Sequence, residues 1–401
     1  MAPPGRASYE GARPNRRVFR LAALALAIVS LSACSSAASV SAGSSLGPTA
    51  TRTLSPSTPN TGTEAGAPSV FWAAVAGADG DFWLSGTYRC GTRTCLVVER
   101  STDGGASFVR VGAPGVRMSS TGPDDEGVVS SLQFGNAQDG YILVSQEAGA
   151  AAESLYWTGD GGRRWLLSQP SGRLDSPVVV AGGAAYVLLA SCLATTSDCV
   201  PETLARSSVA SNSWTMRSLP HLQRPQHLAI AAFGANVWLV SNRPDGGFPP
   251  QLLASDDGGR EFTLLRRADL GGLTCAVAAA SATVLWGLCA YGLLGQAVRS
   301  TDGGRRFVSL SLVTPNPGIV MPVSSTTAVF VVPLRVLLAT DDGRRVTALR
   351  PSSFFKGTFS IGFAGAATWL ALGGTSGVEQ AWRTTDAGRS WSQTPLPSLG
   401  H

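Results

Sequence analysis

The stretch that decides the fold is Ser300-Thr301-Asp302-Gly303-Gly304-Arg305-Arg306-Phe307, a polar turn sequence that closes on an aromatic residue. The same pattern recurs in four further segments, at residues 101–108, 158–165, 255–262 and 384–391. Two degenerate copies fill the gaps, at residues 207–214 and 340–346. The seven starts are 40 to 57 residues apart, which is the period of a propeller blade. The repeat therefore predicts an all-β propeller.

Each interval between repeats also contains four short apolar runs bounded by glycine-rich turns, the pattern of β-strands. In the second interval these runs cover residues 128–134, 140–144, 154–158 and 164–168. The first run is often rich in small residues, as in Leu228 to Ala232, which suits the crowded innermost position. We predict seven complete blades of four antiparallel strands, closed without sharing one blade between the two ends. A six-bladed ring is the alternative.

The repeat resembles the Asp-box, or BNR repeat, of sialidases and many non-enzymatic propellers, and the resemblance covers residues 69–397. In such a box the Asp and Ser/Thr side chains bond to their own turn, the glycines permit positive φ, and the final aromatic residue packs between sheets. We therefore expect structural roles for the box residues. They are Asp103, Asp160, Asp257, Asp302, Asp342 and Asp386, with Phe108, Trp165, Trp214, Phe262, Phe307 and Trp391.

The N-terminus is predicted to be a signal peptide, residues 1–33. An arginine-rich start precedes a thirteen-residue apolar run from Leu21 to Ala33, which is too short to span a bilayer but suits a signal peptide. Leu31-Ser32-Ala33-Cys34 resembles the lipobox of bacterial lipoproteins and predicts lipidation of Cys34. An ordinary secretory signal is the alternative. Residues 15–21 also resemble a twin-arginine export signal, and the choice between Sec and Tat export stays open.

Residues 34–68 are rich in Ser, Thr, Gly and Pro and are predicted to form a flexible tether. The propeller domain follows at residues 69–397. This organisation places a monomeric domain at the cell membrane, held by lipid on the extracytoplasmic side. Five arginines and one glutamate in the first twenty residues supply most of the formal charge of +5. The folded part therefore lacks the basic footprint of a nucleic-acid binder.

Six cysteines besides Cys34 predict three disulfides, as expected for an exported domain. Two pairs flank short loops between the second and third strands of a blade. The two cysteines of the third pair are expected to face each other across the turn at residues 281–283. The predicted pairs are Cys90–Cys95, Cys192–Cys199 and Cys275–Cys289. A metal site is the competing interpretation, but no CxxC motif occurs and the pairs fall in different blades, so we predict no metal.

Binding residues are predicted on one end of the ring. In a four-stranded antiparallel blade, the one–two and three–four turns lie at one end, here called the repeat face. The two–three turns and the blade connections lie at the other end, here called the loop face, which is where binding residues are expected. The candidates are Tyr88, Arg89, Arg117, Asp124, Asp125, His221, Arg224, Arg243, Asp245 and Tyr291, with Glu126, His227, Arg266, Arg267, Asp269, Phe354, Phe355 and Lys356 on the same rim.

Three classes of function fit the sequence. The preferred one is a non-enzymatic platform that binds an envelope or secreted protein, without cofactor or catalytic residues. Photosystem assembly factors, which bind client proteins, have a similar seven-bladed Asp-box architecture. The second class is a glycan-binding module. The third is a sialidase-like exo-glycosidase, which the absence of an [FY]-R-[IL]-P motif makes less favoured.

Overall fold

The computed structural model describes the ring of strands but not every residue of the chain. The described residues are 70–90, 93–118, 129–145, 153–192, 199–220, 227–242, 250–265, 270, 272, 274–315, 318–332, 335–349, 359–375 and 378–396. This part of the chain contains thirty β-strands, one 3-10 turn (Asp341–Gly343) and no α-helix. It contains no helix with the length and apolar character needed to cross a bilayer.

The strands form seven sheets, each made of consecutive strands. Blade 1 contains β1 (Val70–Ala78), β2 (Asp81–Cys90), β3 (Arg93–Ser101), β4 (Val109–Val111) and the short β5 (Arg117–Met118). Blade 2 contains β6 (Val129–Phe134), β7 (Gly140–Ser145), β8 (Glu153–Thr158) and β9 (Leu166–Ser168). Blade 3 contains β10 (Arg173–Leu174), β11 (Val179–Ala181), β12 (Ala184–Cys192), β13 (Cys199–Ser208) and β14 (Ser213–Ser218).

The remaining four blades have four strands each. Blade 4 contains β15 (His227–Phe233), β16 (Asn236–Asn242), β17 (Gln251–Ser255) and β18 (Thr263–Leu264). Blade 5 contains β19 (Thr274–Ala279), β20 (Leu285–Tyr291), β21 (Leu294–Ser300) and β22 (Val308–Pro315). Blade 6 contains β23 (Ile319–Pro322), β24 (Ala328–Val332), β25 (Arg335–Thr340) and β26 (Arg345–Ala348). Blade 7 contains β27 (Phe359–Phe363), β28 (Trp369–Thr375), β29 (Val378–Thr384) and β30 (Ser392–Thr394).

The prediction of a seven-bladed, all-antiparallel propeller is confirmed, and the six-bladed alternative is wrong. All neighbouring strands within the blades pair antiparallel. In the described part of the chain, blade 7 consists of β27 to β30 alone, so the ring closes without a blade shared between the two ends. At the closure, Phe82 and Leu84 of blade 1 form one buried cluster with Leu370 and Leu372 of blade 7.

The core lies between adjacent blades. The second strand of each blade is covered on both faces, so its apolar residues run on continuously instead of alternating with polar ones. In β7, for example, Tyr141 to Val144 are all buried. Large aromatic residues fill the wide space between sheets, and fully buried examples are Trp83, Tyr141, Tyr186, Trp238, Trp286, Phe330 and Trp369. Burying one such aromatic side chain contributes about 1.5–3 kcal/mol, so each joint between blades depends on one or two of them.

Two irregular strands depart from the simple four-strand pattern. The first strand of blade 3 is interrupted: β10 and β11 both pair with β12, and residues 175–178 bulge out between them. In blade 5, the outer strand β22 spans eight residues and its register shifts opposite Gln296 and Val298. The Gln296 side-chain amide donates to the carbonyl oxygens of Leu310 and Leu312, which fixes this irregularity.

One predicted disulfide is confirmed. Cys275 and Cys289 are bonded and are direct cross-strand partners, with their Cα atoms 4.0 Å apart. Cys95 and Cys199 are each disulfide-bonded, and the strand register pairs Cys199 with Cys192. The side chains of Cys90 and Cys192 lie outside the described part of the chain, so the pairs Cys90–Cys95 and Cys192–Cys199 stay predictions.

Candidate functional site

The structure separates the repeat face from the loop face. In six blades, a backbone hydrogen bond joins the three–four turn to the one–two turn of the same blade, so both turns lie at one end. Examples are the bonds from Gly161 N to Gln138 O at 2.7 Å and from Gly303 N to Thr283 O at 2.8 Å. The two–three turns and blade connections therefore gather at the opposite end.

Five repeat turns share one set of hydrogen bonds, shown by the turn of blade 5. The Ser300 hydroxyl donates to Asp302 Oδ1 at 2.8 Å and accepts from Gly304 N at 2.9 Å. Arg306 N donates to the same Oδ1 at 2.9 Å. Gly303 and Gly304 have φ values of +74° and +89°, which favour glycine. The turns that begin at residues 101, 158, 255 and 384 repeat these bonds.

The same bonds keep the repeat carboxylates ionised. The Ser390 hydroxyl and backbone amide, with Thr384, lower the pKa of Asp386 to about 2. Hydrogen bonds from Ser107 lower the pKa of Asp103, and the Ser255 hydroxyl lowers that of Asp257. Burial raises the pKa of Asp302, but the hydrogen bonds outweigh it and the net shift is downward. These carboxylates are committed acceptors within their turns, which argues against a role as catalytic acids.

The repeat turns also join neighbouring blades through their backbone carbonyls, a contact beyond the packing of the final aromatic residue that the sequence predicts. The indole nitrogen of Trp83 in blade 1 donates to the Gly161 carbonyl in the repeat turn of blade 2, at 3.2 Å. Trp238 of blade 4 donates in the same way to Gly303 of blade 5, at 3.0 Å. The second strand of one blade is therefore anchored to the turn of the next.

An arginine directly before the repeat adds to several of these joints. The Arg100 guanidinium lies 5.1 Å from the Trp83 ring centre and ion-pairs with Asp81. Arg299 of blade 5 crosses to blade 6, where it contacts Asp342 Oδ1 at 2.7 Å and the Ser325 carbonyl at 2.8 Å. Such a cation, close to an aromatic face and partly buried, contributes about 0.5–2 kcal/mol.

The two degenerate repeats keep the contacts between blades while losing bonds within the turn. In blade 6, Asp342 has φ +59° in the 3-10 turn and bonds to Arg299 of blade 5. In blade 3, the Trp214 indole donates to the Ser168 hydroxyl of blade 2 at 2.8 Å, and its ring centre lies 5.6 Å from that of Tyr141. Joining blades is thus the feature that all these turns share.

The arginine doublets of the repeats are exposed on the repeat face. Arg163, Arg164, Arg305, Arg306, Arg344 and Arg345 are all exposed. Arg164 bonds to Asp160 of its own turn at 2.9 Å. These side chains are solvated turn residues.

The predicted loop-face residues are only partly described. Tyr291 is exposed at the turn between β20 and β21. Tyr88 and Arg89 lie in β2. Arg117 lies in β5, where it is the cross-strand partner of Cys95. The side chains of Tyr88, Arg89 and Arg117 are outside the described part of the chain. The candidates wholly outside it are Asp124, Asp125, Glu126, His221, Arg224, Arg243, Asp245, Arg266, Arg267, Asp269, Phe354, Phe355 and Lys356.

The bulge in blade 3 creates a polar site at the loop end of the ring. Asp175 N donates to the Leu188 carbonyl at 2.9 Å, and Leu188 N donates to the Ser176 hydroxyl at 2.9 Å. Both backbone groups of Leu188 are thereby satisfied although no regular strand lies opposite. The bulge includes Pro177, which has no N–H to contribute to a ladder and is confined in sheets to edges and bulges.

Asp175 lies within electrostatic range of charged groups from three blades. It is half-buried, and this burial raises its pKa; His227 of blade 4 and Arg173 of its own blade act in the opposite direction, and Glu153 of blade 2 adds to the rise. We call these four residues the charged cluster. Glu153, Arg173 and His227 each begin a strand at the loop end, and Asp175 directly follows β10. Bulges commonly redirect a side chain at functional sites.

The sequence identified only one member of the charged cluster, His227. Pro177 was the available signal for the bulge, because a proline inside a predicted strand indicates an edge or an irregularity. The cluster offers two carboxylates and two groups that carry or can acquire positive charge. It suits a ligand that presents both charges. No group of residues able to hold a metal ion occurs in the described ranges.

Neither a protein-family model nor a curated protein sequence matches the chain significantly. Solved structures do match. YCF48 from Cyanidioschyzon merolae is 15% identical with a TM-score of 0.47, over 68% of this chain and 86% of that one. YCF48 bound to D1 peptide is 14% identical with a TM-score of 0.41, over 65% and 80%.

Two peptidase structures match a larger share of the chain. A puromycin-hydrolyzing peptidase of Mycobacterium tuberculosis is 13% identical with a TM-score of 0.50, over 82% of this chain and 54% of that one. A structure from work on two prolyl endopeptidases is 10% identical with a TM-score of 0.54, over 82% and 51%. The chain spans about half the length of these two proteins. Such likenesses show the fold alone: a seven-bladed β-propeller.

Proposed function

We propose that the chain is an extracytoplasmic Asp-box propeller that binds a protein partner through its loop face. The observation that carries this proposal is the charged cluster, in which the charges of Glu153, Arg173 and His227, from three separate blades, all act on the carboxyl of Asp175. In this proposal residues 1–33 are the signal peptide, Cys34 carries the lipid anchor, and residues 34–68 tether the propeller domain of residues 69–397 to the membrane.

The chemistry of the cluster favours a polypeptide ligand. A protein surface presents ammonium, guanidinium and carboxylate groups at fixed spacing, so it can pair with both signs of charge at once. A partner cation beside Asp175 would also offset the burial that raises the pKa of this carboxyl. The surrounding blades move little relative to one another because their joints are buried, so the ring presents the cluster in a fixed geometry.

The repeat face supports the proposal by contrast. Its carboxylates Asp103, Asp160, Asp257, Asp302 and Asp386 are occupied by their own turns. Their hydrogen bonds serve the scaffold, which leaves the loop face to carry specificity. This division between a structural end and a variable end is common where rigid β-folds bind ligands.

The test is capture of the partner from the native membrane by cross-linking and co-purification. A double variant, Arg173→Glu with His227→Glu, replaces both basic groups of the cluster by carboxylates. Arg163→Glu with Arg345→Glu makes the matched change at exposed positions of the repeat face. We expect the first variant to lose a stoichiometric protein at least about tenfold, since close charge pairs at interfaces contribute 1.5 kcal/mol or more. The control variant should retain it.

Two further outcomes distinguish the alternatives. If no protein is captured above background, a glycan array and a fluorogenic sialoside assay decide between a glycan-binding module and a sialidase-like hydrolase. Capture that persists after this replacement of the basic groups of the cluster, with unchanged thermal unfolding, would disprove the proposed site. The anchor is tested separately: Cys34→Ser should prevent incorporation of labelled fatty acid into the protein.

A further inference from the structure

Within the described part of the chain, five of the twelve large apolar side chains that are exposed lie on the loop face of blades 5 and 6. The turn between β20 and β21 exposes 51% of Tyr291, 73% of Leu293 and 55% of Leu294. Val313 near the end of β22 is 56% exposed, and Ile319 at the start of β23 is 57% exposed. We call these five residues, together with the exposed Pro315, the apolar rim.

The strand register places three members of the apolar rim side by side. Tyr291 pairs with Leu294 across a two-residue turn, Gly292-Leu293, in which Gly292 has φ +66°. Leu294 pairs in turn with Pro315 on the outer strand. Contiguous exposed apolar surface of this kind marks sites of protein or membrane contact on soluble domains.

The charges around the apolar rim favour an anionic surface. Between Leu270 and Leu349 the carboxylates are Asp302, Asp341 and Asp342, and all three lie in repeat turns at the opposite end of the blades. At the loop end of blade 6, Arg335 is exposed and pairs with Val332. Asp269, in the connection into blade 5, lies outside the described part of the chain. A protruding Leu and Tyr with an arginine on the same face is the composition found at bilayer interfaces.

The path of the chain points to the same face. The first strand begins at Val70, which pairs with Thr87 far from the one–two turn, so the preceding chain enters blade 1 at the loop end. The 36 residues from Cys34 to Val70 reach at most about 120 Å. A tether of this length allows the loop face to reach the membrane in which Cys34 would be anchored.

We propose that the apolar rim docks on the anionic surface of the membrane to which the chain is anchored. Leu293 and Tyr291 enter the headgroup region, and Arg335 lies near lipid phosphates. This contact tilts the ring, so that blades 5 and 6 touch the bilayer while the charged cluster of blades 2 to 4 remains available. The inference rests on the proposed lipid anchor at Cys34, but not on the identity of the partner.

The test uses the full acylated chain in vesicles of phosphatidylcholine and phosphatidylglycerol (7:3). An environment-sensitive fluorophore is attached at Leu293→Cys, and for comparison at Val308→Cys. Val308 is 57% exposed but lies at the repeat end of β22, which makes it a matched control. We expect spin-labelled lipid to quench the probe at position 293 at least about twofold more than at 308, since interfacial side chains enter about 5–10 Å.

A second pair of variants guards against a probe artefact. Val313→Asp lies within the apolar rim, whereas Val109→Asp changes a 62%-exposed residue next to the repeat turn of blade 1. The first should return the probe at 293 to a water-exposed state, and the second should not. Thermal unfolding of both variants should match that of the parent chain, because both positions are exposed.

Each remaining outcome overturns the proposal. If the chain floats with the vesicles but the probe at 293 reports water, the rim does not dock although the anchor is intact. A chain that does not float lacks both the anchor and the contact. If the probe responds to the captured protein instead of to vesicles, the rim is a protein interface, and the proposed platform function stands without membrane docking.

Discussion

The Thr394 hydroxyl, in the last strand of blade 7, donates a 2.8 Å hydrogen bond to the carbonyl oxygen of Gly105, in the repeat turn of blade 1. The two residues are 289 positions apart in sequence, and their bond lies at the closure of the ring. Beside it, the Arg383 guanidinium of blade 7 lies next to Gly104. The closing joint thus uses the repeat turn in the same way as the joints inside the ring.

Replacing Thr394 by valine should weaken ring closure. The substitution keeps the shape of the side chain but leaves the buried Gly105 carbonyl without this donor, at a cost of about 1–2 kcal/mol. Chemical denaturation measures the loss. Thr215→Val is the control, because its hydroxyl donates to the Arg206 carbonyl at an exposed position. Equal effects of the two substitutions would show that closure does not depend on the Thr394 bond.

Glycine 161 should tolerate alanine far less well than glycine 80. Both have positive φ, +75° and +87°, so both substitutions strain the backbone. A Cβ at position 161 would also overlap Arg100 Nη1 and lie 3.0 Å from the Ala137 carbonyl, whereas a Cβ at position 80 meets nothing within 4 Å. Gly161→Ala should therefore cost about 1–3 kcal/mol more. Comparable midpoints in urea for the two variants would contradict this account of the joint.

The repeat carboxylates should make stability fall at acid pH. The pKa of Asp386 is lowered to about 2 and that of Asp103 is lowered too, against an unfolded value near 3.8. Their stabilisation is present above the unfolded pKa and is lost as the pH falls through the folded pKa. The double variant Asp103→Asn with Asp386→Asn should be less stable at pH 7 and should lose less stability between pH 4 and pH 2.

The measurement is thermal unfolding across that pH range. Asp256→Asn is the control, because this exposed residue lies outside the shared hydrogen-bond set although it precedes the repeat residue Asp257. It should leave both the stability at pH 7 and the acid slope unchanged. A double variant with the acid slope of the parent chain would show that other carboxylates govern acid unfolding.

Glu99 should destabilise the fold near neutral pH. It is 2% exposed, and burial raises its pKa, although Arg110 at 3.5 Å acts in the opposite direction. Stability linked to a raised acidic pKa is present below the unfolded pKa and is lost as the pH rises through the folded pKa. Glu99→Gln should therefore raise the melting temperature at pH 7 but not at pH 4. Arg110 is 40% exposed, so water can solvate its guanidinium group when Glu99 is replaced by glutamine.

Differential scanning calorimetry at the two pH values checks this. Glu261→Gln, at an exposed position of a repeat turn, provides the comparison and should give no pH-dependent gain. A lower melting temperature for Glu99→Gln at pH 7 would mean that the pair with Arg110 more than offsets the burial of the carboxylate.

Removing the Cys275–Cys289 bond should cost about 3 kcal/mol, as expected for a closed loop of about fifteen residues. Both cysteines are buried, so Cys275→Ala with Cys289→Ala avoids placing polar groups in the core. Unfolding in urea without reductant measures the loss. Non-reducing peptide mapping of the parent chain should find neither thiol alkylated. A double variant as stable as the parent would show that the hairpin holds its register without the bond.

Much of the ring could be predicted from the repeat because its signal is local. The turn that contains Asp302 and Gly303 needs particular side chains at fixed positions. The seven copies of this turn in the sequence therefore give the number of blades. The strands predicted for blade 2 end within two residues of those observed. Cys275 and Cys289 could be paired because the turn at residues 281–283 fixed the register of their hairpin.

The contacts between blades could not be predicted in the same way. Trp83 and Gly161 are 78 residues apart, and nothing in either local sequence specifies the other. The charged cluster could not be predicted for a related reason: Glu153, Arg173 and His227 belong to three different blades, which come together only when the chain folds. The bulge at Asp175 was missed because its one local sign, Pro177, was hidden within a run of otherwise strand-like residues.

Because every blade consists of consecutive strands, the contacts between blades do not fix the point of the ring at which the chain begins. A circular permutant could begin at Ile319 and end at Pro315, with a linker joining Leu396 to Val70. It would form the same seven joints, since none of them needs an unbroken backbone. Evolution could likewise duplicate or exchange whole blades as units, each carrying its own turn to fit the neighbour.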